Sequence, residues 1–171
     1  IGAVIVASKL SKINTVKLDT DKLSVSKEAK KRGSGYLNVA LFGVDSRDND
    51  LDKGTRSDTI MIASLNKKTM KVKIASIYRD TLSEQEDGTL NKINAAYSYG
   101  GPEGALSVLN KNLDMNIEHY VTVNFNSMID IVDSVGGIDI DVQEDEMPYI
   151  CGYVQEIMKV TGKLSPGVTE P

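Results

Sequence analysis

Tryptophan is absent, phenylalanine occurs twice, and cysteine and histidine occur once each, as Cys151 and His119. One cysteine excludes an internal disulfide framework and a thiolate zinc cluster. One histidine excludes a multi-histidine metal centre. With so few aromatics, base-stacking platforms are poorly supplied. A net charge of −4 leaves no global basic field for nonspecific nucleic-acid binding, so no nucleic-acid partner is expected. His119, in a strand context, reads as a structural residue, and Cys151 as a small buried apolar one. Chemistry is therefore left to Asp, Glu, Arg, Lys, hydroxyls and backbone.

What is present fits one ordinary domain, with or without a short arm. The chain has 171 residues, 40% apolar and 26% charged, enough to bury a core. Of 20 basic residues only four are arginine. Three of these, Arg47, Arg56 and Arg79, lie within two residues of an aspartate, and Arg32 sits in a lysine-rich linker. A chain that otherwise relies on lysine is using the guanidinium fork for what lysine does poorly, namely bidentate binding of phosphate or carboxylate.

Along the chain, Ile1 to Ala7 (IGAVIVA) is far shorter than the about 20 residues of a bilayer span. Two readings stand: the stub of a membrane helix in a processed or shortened chain, which would fit the missing initial Met, or a short element packed on the domain. Thr20 to Lys31 reads as a weak solvated helix. Arg32-Gly33-Ser34-Gly35 reads as a break, which divides the chain into an arm (1–35) and a domain (36–171). Tyr36 to Phe42 suits a buried central strand. Thr59 to Leu65 and Lys71 to Ile77, joined by Asn66-Lys-Lys-Thr69, read as a hairpin. Asn91 to Tyr99 and Pro102 to Leu113 have helical spacing, with Pro102 near a helix start. Ile117 to Asn124 reads as a strand. Asn126-Ser127 reads as the cap of a helix over Met128 to Val135 that ends at Gly136-Gly137. Ile138 to Val142 alternates like a strand, and Met147 to Val160 reads as a helix. The fold class is α/β or α+β, a mixed central sheet flanked by helices.

Three acidic–basic groups mark strand ends or the loop between them: Asp45-Ser46-Arg47, Arg56-Ser57-Asp58 and Arg79-Asp80-Thr81. If the first two strands are neighbours and the hairpin forms, all three meet at one rim of the sheet. Two carboxylates there suit a hard cation such as Mg²⁺, which takes one or two carboxylates plus substrate phosphate oxygens. Adjacent guanidinium groups suit a diphosphate and stabilise charge on a leaving phosphate. The plainer reading is a set of local ion pairs and Asx turns. The loop also holds Asp48, Asp50 and Asp52, but an EF-hand started at Asp48 would need Gly and Glu where Lys53 and Thr59 stand. A P-loop and a Gly-x-Ser-x-Gly elbow are both missing.

Five ordered blocks carry a resemblance: Leu37 to Arg47 (LNVALFGVDSR), Thr55 to Thr59 (TRSDT), Ser76 to Thr81 (SIYRDT), Lys92 to Tyr97 (KINAAY) with Gly100-Gly101-Pro102-Glu103, and Val135 to Asp139 (VGGID). Over about Tyr36 to Pro148 the chain resembles the extracellular catalytic domain of the LytR–CpsA–Psr family of Gram-positive bacteria. The resemblance implies a three-layer α-β-α domain. Its activity would be a Mg²⁺-dependent phosphotransferase that moves a glycopolymer, as a phosphodiester, from a polyprenyl-pyrophosphate carrier onto peptidoglycan. It implies a cell-membrane location on the outer face with one N-terminal transmembrane anchor, and a lipid held between sheet and helices. Asp45 and Asp58 resemble the metal-binding aspartates, and Arg56 and Arg79 the pyrophosphate-binding arginines. Arg47 and Asp80 match motif positions, with Asp80 placed to orient Arg79. Tyr78 stands where the family has proline. A further family segment with paired arginines and a glutamine would begin near Leu164, so weak or no transfer is expected of the 171 residues alone. A pyrophosphatase using the same site, and a non-catalytic Asp-rich surface module, are the alternatives.

Overall fold

In a computed structural model of the chain, residues 15–46, 51 and 54–162 are described. The Ile1 to Ala7 segment, Arg47, the Asp48 to Asp52 aspartates and the stretch from Leu164 onward lie outside them. The central strand is β1 (Tyr36–Val44), in which Asn38, Ala40, Phe42 and Val44 are buried and the residues between are more open. It pairs antiparallel with β2 (Ser57–Asn66), which pairs antiparallel with β3 (Val72–Ile77). On its other side it pairs parallel with β6 (His119–Val123). The sheet order β3-β2-β1-β6 is the mixed sheet that the strand pattern predicts. The β2–β3 turn is fixed by Asn66, whose Oδ1 accepts from the amides of Lys68 and Thr69.

One face of this sheet is dry. Ala40, Phe42, Val44, Ile60 and Ile62 pack on Ala96, Tyr97, Ala105, Leu106, Val108 and Leu109 of helix α2 (Ala95–Leu113). The Phe42 and Tyr97 rings meet edge to face, 5.2 Å between centroids. Each large side chain buried in this way contributes about 1.5–3 kcal/mol. α2 is broken at Gly101 (φ 62°, ψ −155°) just before Pro102. Glycine takes that backbone without strain, and proline then restarts the helix at a position needing no N–H.

Several expectations are corrected. The helix predicted from Asn91 begins at Ala95, because Leu90–Lys92 form strand β5 against β4 (Leu82–Glu84). Helix α3 (Phe125–Ser134) is capped by Asn124, whose Oδ1 accepts from the Ser127 amide, so it starts before the predicted Asn126-Ser127 cap. Ile138 to Val142 forms no strand; its alternation finds no sheet edge to take its backbone hydrogen bonds, and Ile138 and Ile140 are exposed. Cys151 is half-buried, in α4 (Met147–Thr161). Residues 20–31 form a 3₁₀ turn (Thr20–Lys22) and then α1 (Lys27–Gly33), capped by Ser26. Packing does not break at Arg32–Gly35: Leu23 lies fully inside the sheet–α2 core. The carboxamide of Asn110 also ties this segment down, donating to the Leu23 carbonyl at 2.8 Å. Among the described residues no helix is long and apolar enough to cross a membrane.

Candidate active site at one rim of the sheet

The strand register decides where the acidic–basic groups go. Val44 pairs with Ser57, the last pair of the ladder, so Asp45 and Arg56 each stand one residue beyond it at the same end of the sheet. The ladder then slips: Gly43 pairs with Thr59, leaving Asp58 as an extra residue on β2. This is a β-bulge, a device that re-aims a side chain where pairing ends. Ser57 is consequently buried while Asp58 and Thr59 are both exposed. A Cβ on Gly43 would lie 3.0 Å from the Thr59 Cβ, a tight contact to which Thr59 would have to yield.

Two residues past the end of β3, Arg79 reaches the bulge and donates from Nη1 to Asp58 Oδ1 at 2.5 Å. Its Nε lies 3.8 Å from Asp80 Oδ2. Asp80 is itself bonded to Lys92, Nζ to Oδ1 at 2.6 Å. That bond is the main reason the Asp80 carboxyl is held below the usual carboxylate range; the charges of Lys92, Arg79 and Arg56 add to it, against partial desolvation. Arg56 therefore belongs to the same field. The backbone locks this arrangement, because the Ile93 amide donates to the Thr81 carbonyl at 2.8 Å and the Asn94 amide to the Arg79 carbonyl at 3.2 Å.

The structure thus gathers Arg56, Asp58, Arg79 and Asp80, with Asp45 placed beside them by register, while Arg47 lies outside the described residues. Residues that sequence reasoning missed complete the rim. Lys92 was visible only as a member of the KINAAY block. Tyr97, fully buried, donates its hydroxyl to the Leu51 carbonyl at 2.7 Å and lies 3.0 Å from Thr122 Oγ1. The Gly54 amide donates to the Ser98 carbonyl at 3.2 Å. These two bonds pin the β1–β2 loop to the first turn of α2. Ser57 Oγ and Asn94 Oδ1 are buried without a hydrogen-bond partner among the described residues. Such orphans next to a charged rim are the polar atoms a bound ion, water or ligand would satisfy.

The donor set is hard and oxygen-only. No cluster of three or more His, Cys, Asp or Glu side chains exists among the described residues. The described carboxylates of the rim are hard oxygen donors, of the kind a divalent cation takes together with water and substrate oxygens.

Known proteins resemble the chain in sequence and in fold. The profile of the LytR_cpsA_psr family matches residues 3–167. A polyisoprenyl-teichoic acid–peptidoglycan teichoic acid transferase, TagU of Bacillus cereus (strain AH820), is 39% identical over 126 residues, 73% of this chain and 40% of that protein. The chain thus spans well under half the length of this relative. The crystal structure of TagV from B. subtilis has 35% identity and a TM-score of 0.55, over 63% of this chain and 43% of that one. The family protein YwtF (TagT) with bound octaprenyl pyrophosphate lipid, 24% identical, shares the fold over 90% of this chain and 54% of its own, with a TM-score of 0.56.

Proposed function

The chain belongs to the LytR_cpsA_psr family, and from that premise and the rim geometry we propose that it is the diphosphate-binding part of a phosphotransferase. The donor is a polyprenyl-pyrophosphate-linked glycopolymer and the acceptor is peptidoglycan. The supporting observation is the Arg79–Asp58 contact at the bulge, with Arg56 and Asp80 in the same field. Names of relatives at 37–39% identity, polyisoprenyl-teichoic acid–peptidoglycan transferases, support the donor and acceptor classes.

The chemistry asked of the rim is modest. An acceptor hydroxyl oxygen forms a P–O bond to the polymer-bearing phosphorus and gives up its proton to water. The bridging P–O bond breaks, and polyprenyl phosphate leaves with the electron pair. The residues bind and orient the diphosphate and stabilise charge growing on the leaving phosphate. Arg56 and Arg79 supply planar forks for phosphate oxygens. Asp80 is held ionised, chiefly by its bond to Lys92.

Mg²⁺ fits the residues present. Asp45 and Asp58 would hold it, since Arg79 takes only Oδ1 of Asp58 and leaves Oδ2. The ion would neutralise phosphate charge that the arginines alone do not balance. The outer sheet face, with Leu37, Ile74 and Val121 exposed, offers an apolar wall for prenyl units at about 0.8 kcal/mol per buried CH₂. The membrane location at the outer face and the N-terminal anchor belong to the same proposal.

Calorimetric titration of the chain with geranyl pyrophosphate tests this reading. Binding should require Mg²⁺ and vanish in Asp58→Ala; metal-independent binding, or binding unchanged in that variant, overturns it. Incubation of the full protein with lipid-linked polymer and peptidoglycan then separates transfer from hydrolysis by its product.

A further inference from the structure

We propose that Lys92 is a positioning residue that occupies Asp80 and so keeps the Arg79 guanidinium available to a substrate diphosphate. The inference rests on the diphosphate-binding reading above and adds a residue to it.

The argument begins with competition. Arg79 has two carboxylates within reach: Asp58 at 2.5 Å from Nη1 and Asp80 at 3.8 Å from Nε. A guanidinium has five N–H donors in a rigid fork, and a carboxylate engaging the Nε edge closes one of its two bidentate faces. Asp80 is next to Arg79 in sequence, so nothing in the backbone keeps them apart. Lys92 competes for Asp80 instead: its ammonium lies 2.6 Å from Oδ1, closer than the 3.8 Å between Oδ2 and the Arg79 Nε.

Lys92 is held in place for this. Its strand, β5, pairs with β4 with Lys92 opposite Leu82. The next two residues are bonded to the Arg79–Thr81 segment through the Ile93 and Asn94 amides. The two segments therefore lie side by side whatever the side chains do. Charge runs the same way. Among the described rim residues three carboxylates (Asp45, Asp58, Asp80) face three cations (Arg56, Arg79, Lys92). Removing Lys92 leaves a net negative rim against an anionic ligand and frees Asp80 to take the Nε edge of Arg79.

The test is a double-variant cycle read by titration with geranyl pyrophosphate and Mg²⁺. Lys92→Met should weaken binding about fivefold, the scale of one exposed ion pair, and Lys92→Arg should restore most of it. The discriminating variant is Asp80→Asn with Lys92→Met. With no carboxylate left to capture Arg79, it should bind more tightly than Lys92→Met alone. If the double variant binds as weakly as Lys92→Met or more weakly, Lys92 acts by touching phosphate or by holding the fold, and the proposal is overturned. Binding unchanged in Lys92→Met also overturns it while leaving the diphosphate reading intact. Absence of binding by the wild-type chain overturns both. Far-UV circular dichroism of each variant identifies one that fails to fold, and the Lys92→Arg comparison then carries the test.

Discussion

Asp58 lies in β2 and Arg79 two residues past the end of β3, and their side chains meet at 2.5 Å where a β-bulge sets Asp58 outside the β1–β2 ladder. Both side chains are about half exposed, 53% and 46%. An ion pair so open to water contributes under about 1 kcal/mol to folding. Stability therefore gives little reason for the arrangement, and the proposed diphosphate role makes a separate prediction. Arg79→Lys keeps the charge and loses the fork. It should shift the urea midpoint little and weaken binding of geranyl pyrophosphate by about tenfold or more, the scale of a charge-assisted hydrogen bond. Equal losses in both measurements would assign the pair to the fold.

The bulge itself can be moved. Gly43 faces Thr59, and a methyl group there would come within 3.0 Å of the Thr59 Cβ, a position with no flexible end to swing away. Gly43→Ala should cost about 1–3 kcal/mol, as overpacking does. It should also weaken diphosphate binding, because the strain falls one residue from Asp58. Urea denaturation and titration on the same preparation check both; a Gly43→Ala chain with unchanged affinity would detach the bulge from the site.

Much of this was legible in the sequence, for physical reasons. Apolar runs with turn residues between them fix strands, and an antiparallel hairpin leaves no freedom about which ends meet, so the convergence of Asp45, Arg56, Asp58 and Arg79 followed. The bulge did not, because a one-residue slip depends on the fit of Gly43 against Thr59 and leaves no periodic mark. The β4–β5 hairpin was missed although Asp87-Gly88, with Gly88 at φ 81°, is a standard turn signal. Its strands are only three residues each, too short for alternation to show. Ile138 to Val142 failed the other way: the alternation is present, but a strand needs a neighbour. Lys92 was hidden because its role is set by Asp80, a residue twelve positions away.

Tyr97 links the core to the loop that carries Asp45 and Arg56. Tyr97→Phe keeps the ring against Phe42 and removes the bond to the Leu51 carbonyl. The loss should be about 0.5–1.5 kcal/mol of stability, the net worth of one hydrogen bond. Amide hydrogen exchange should rise at Gly54, whose bond to Ser98 is the second pin, while amides in the middle of β1 stay protected. Uniform acceleration across β1 and β2 would instead mark Tyr97 as a general core residue.

Acid should loosen the attachment of α1 before it disturbs the sheet. Asp114 ends α2 in the left-handed region (φ 49°) and is bonded by the Arg32 guanidinium and by Ser26 at 3.1 Å. The Arg32 bond is the main cause that holds its carboxyl below the ordinary value of 3.8, with Ser26 next. A carboxyl lowered in the folded state contributes stability that is complete above its ordinary value and is lost as pH falls through the folded one. The urea midpoint should therefore drop between pH 6 and pH 3, in part through this group. Asp114→Asn removes the titration, and asparagine tolerates the left-handed backbone. Its midpoint should be lower than wild type at pH 6, with a smaller drop on acidification. The Arg32 donor to the Asp114 carbonyl, at 2.9 Å, survives in that variant, so α1 should stay docked at neutral pH. Equal drops in the two proteins would show that the acid response originates elsewhere, with Asp80 and its Lys92 bond the next group to remove.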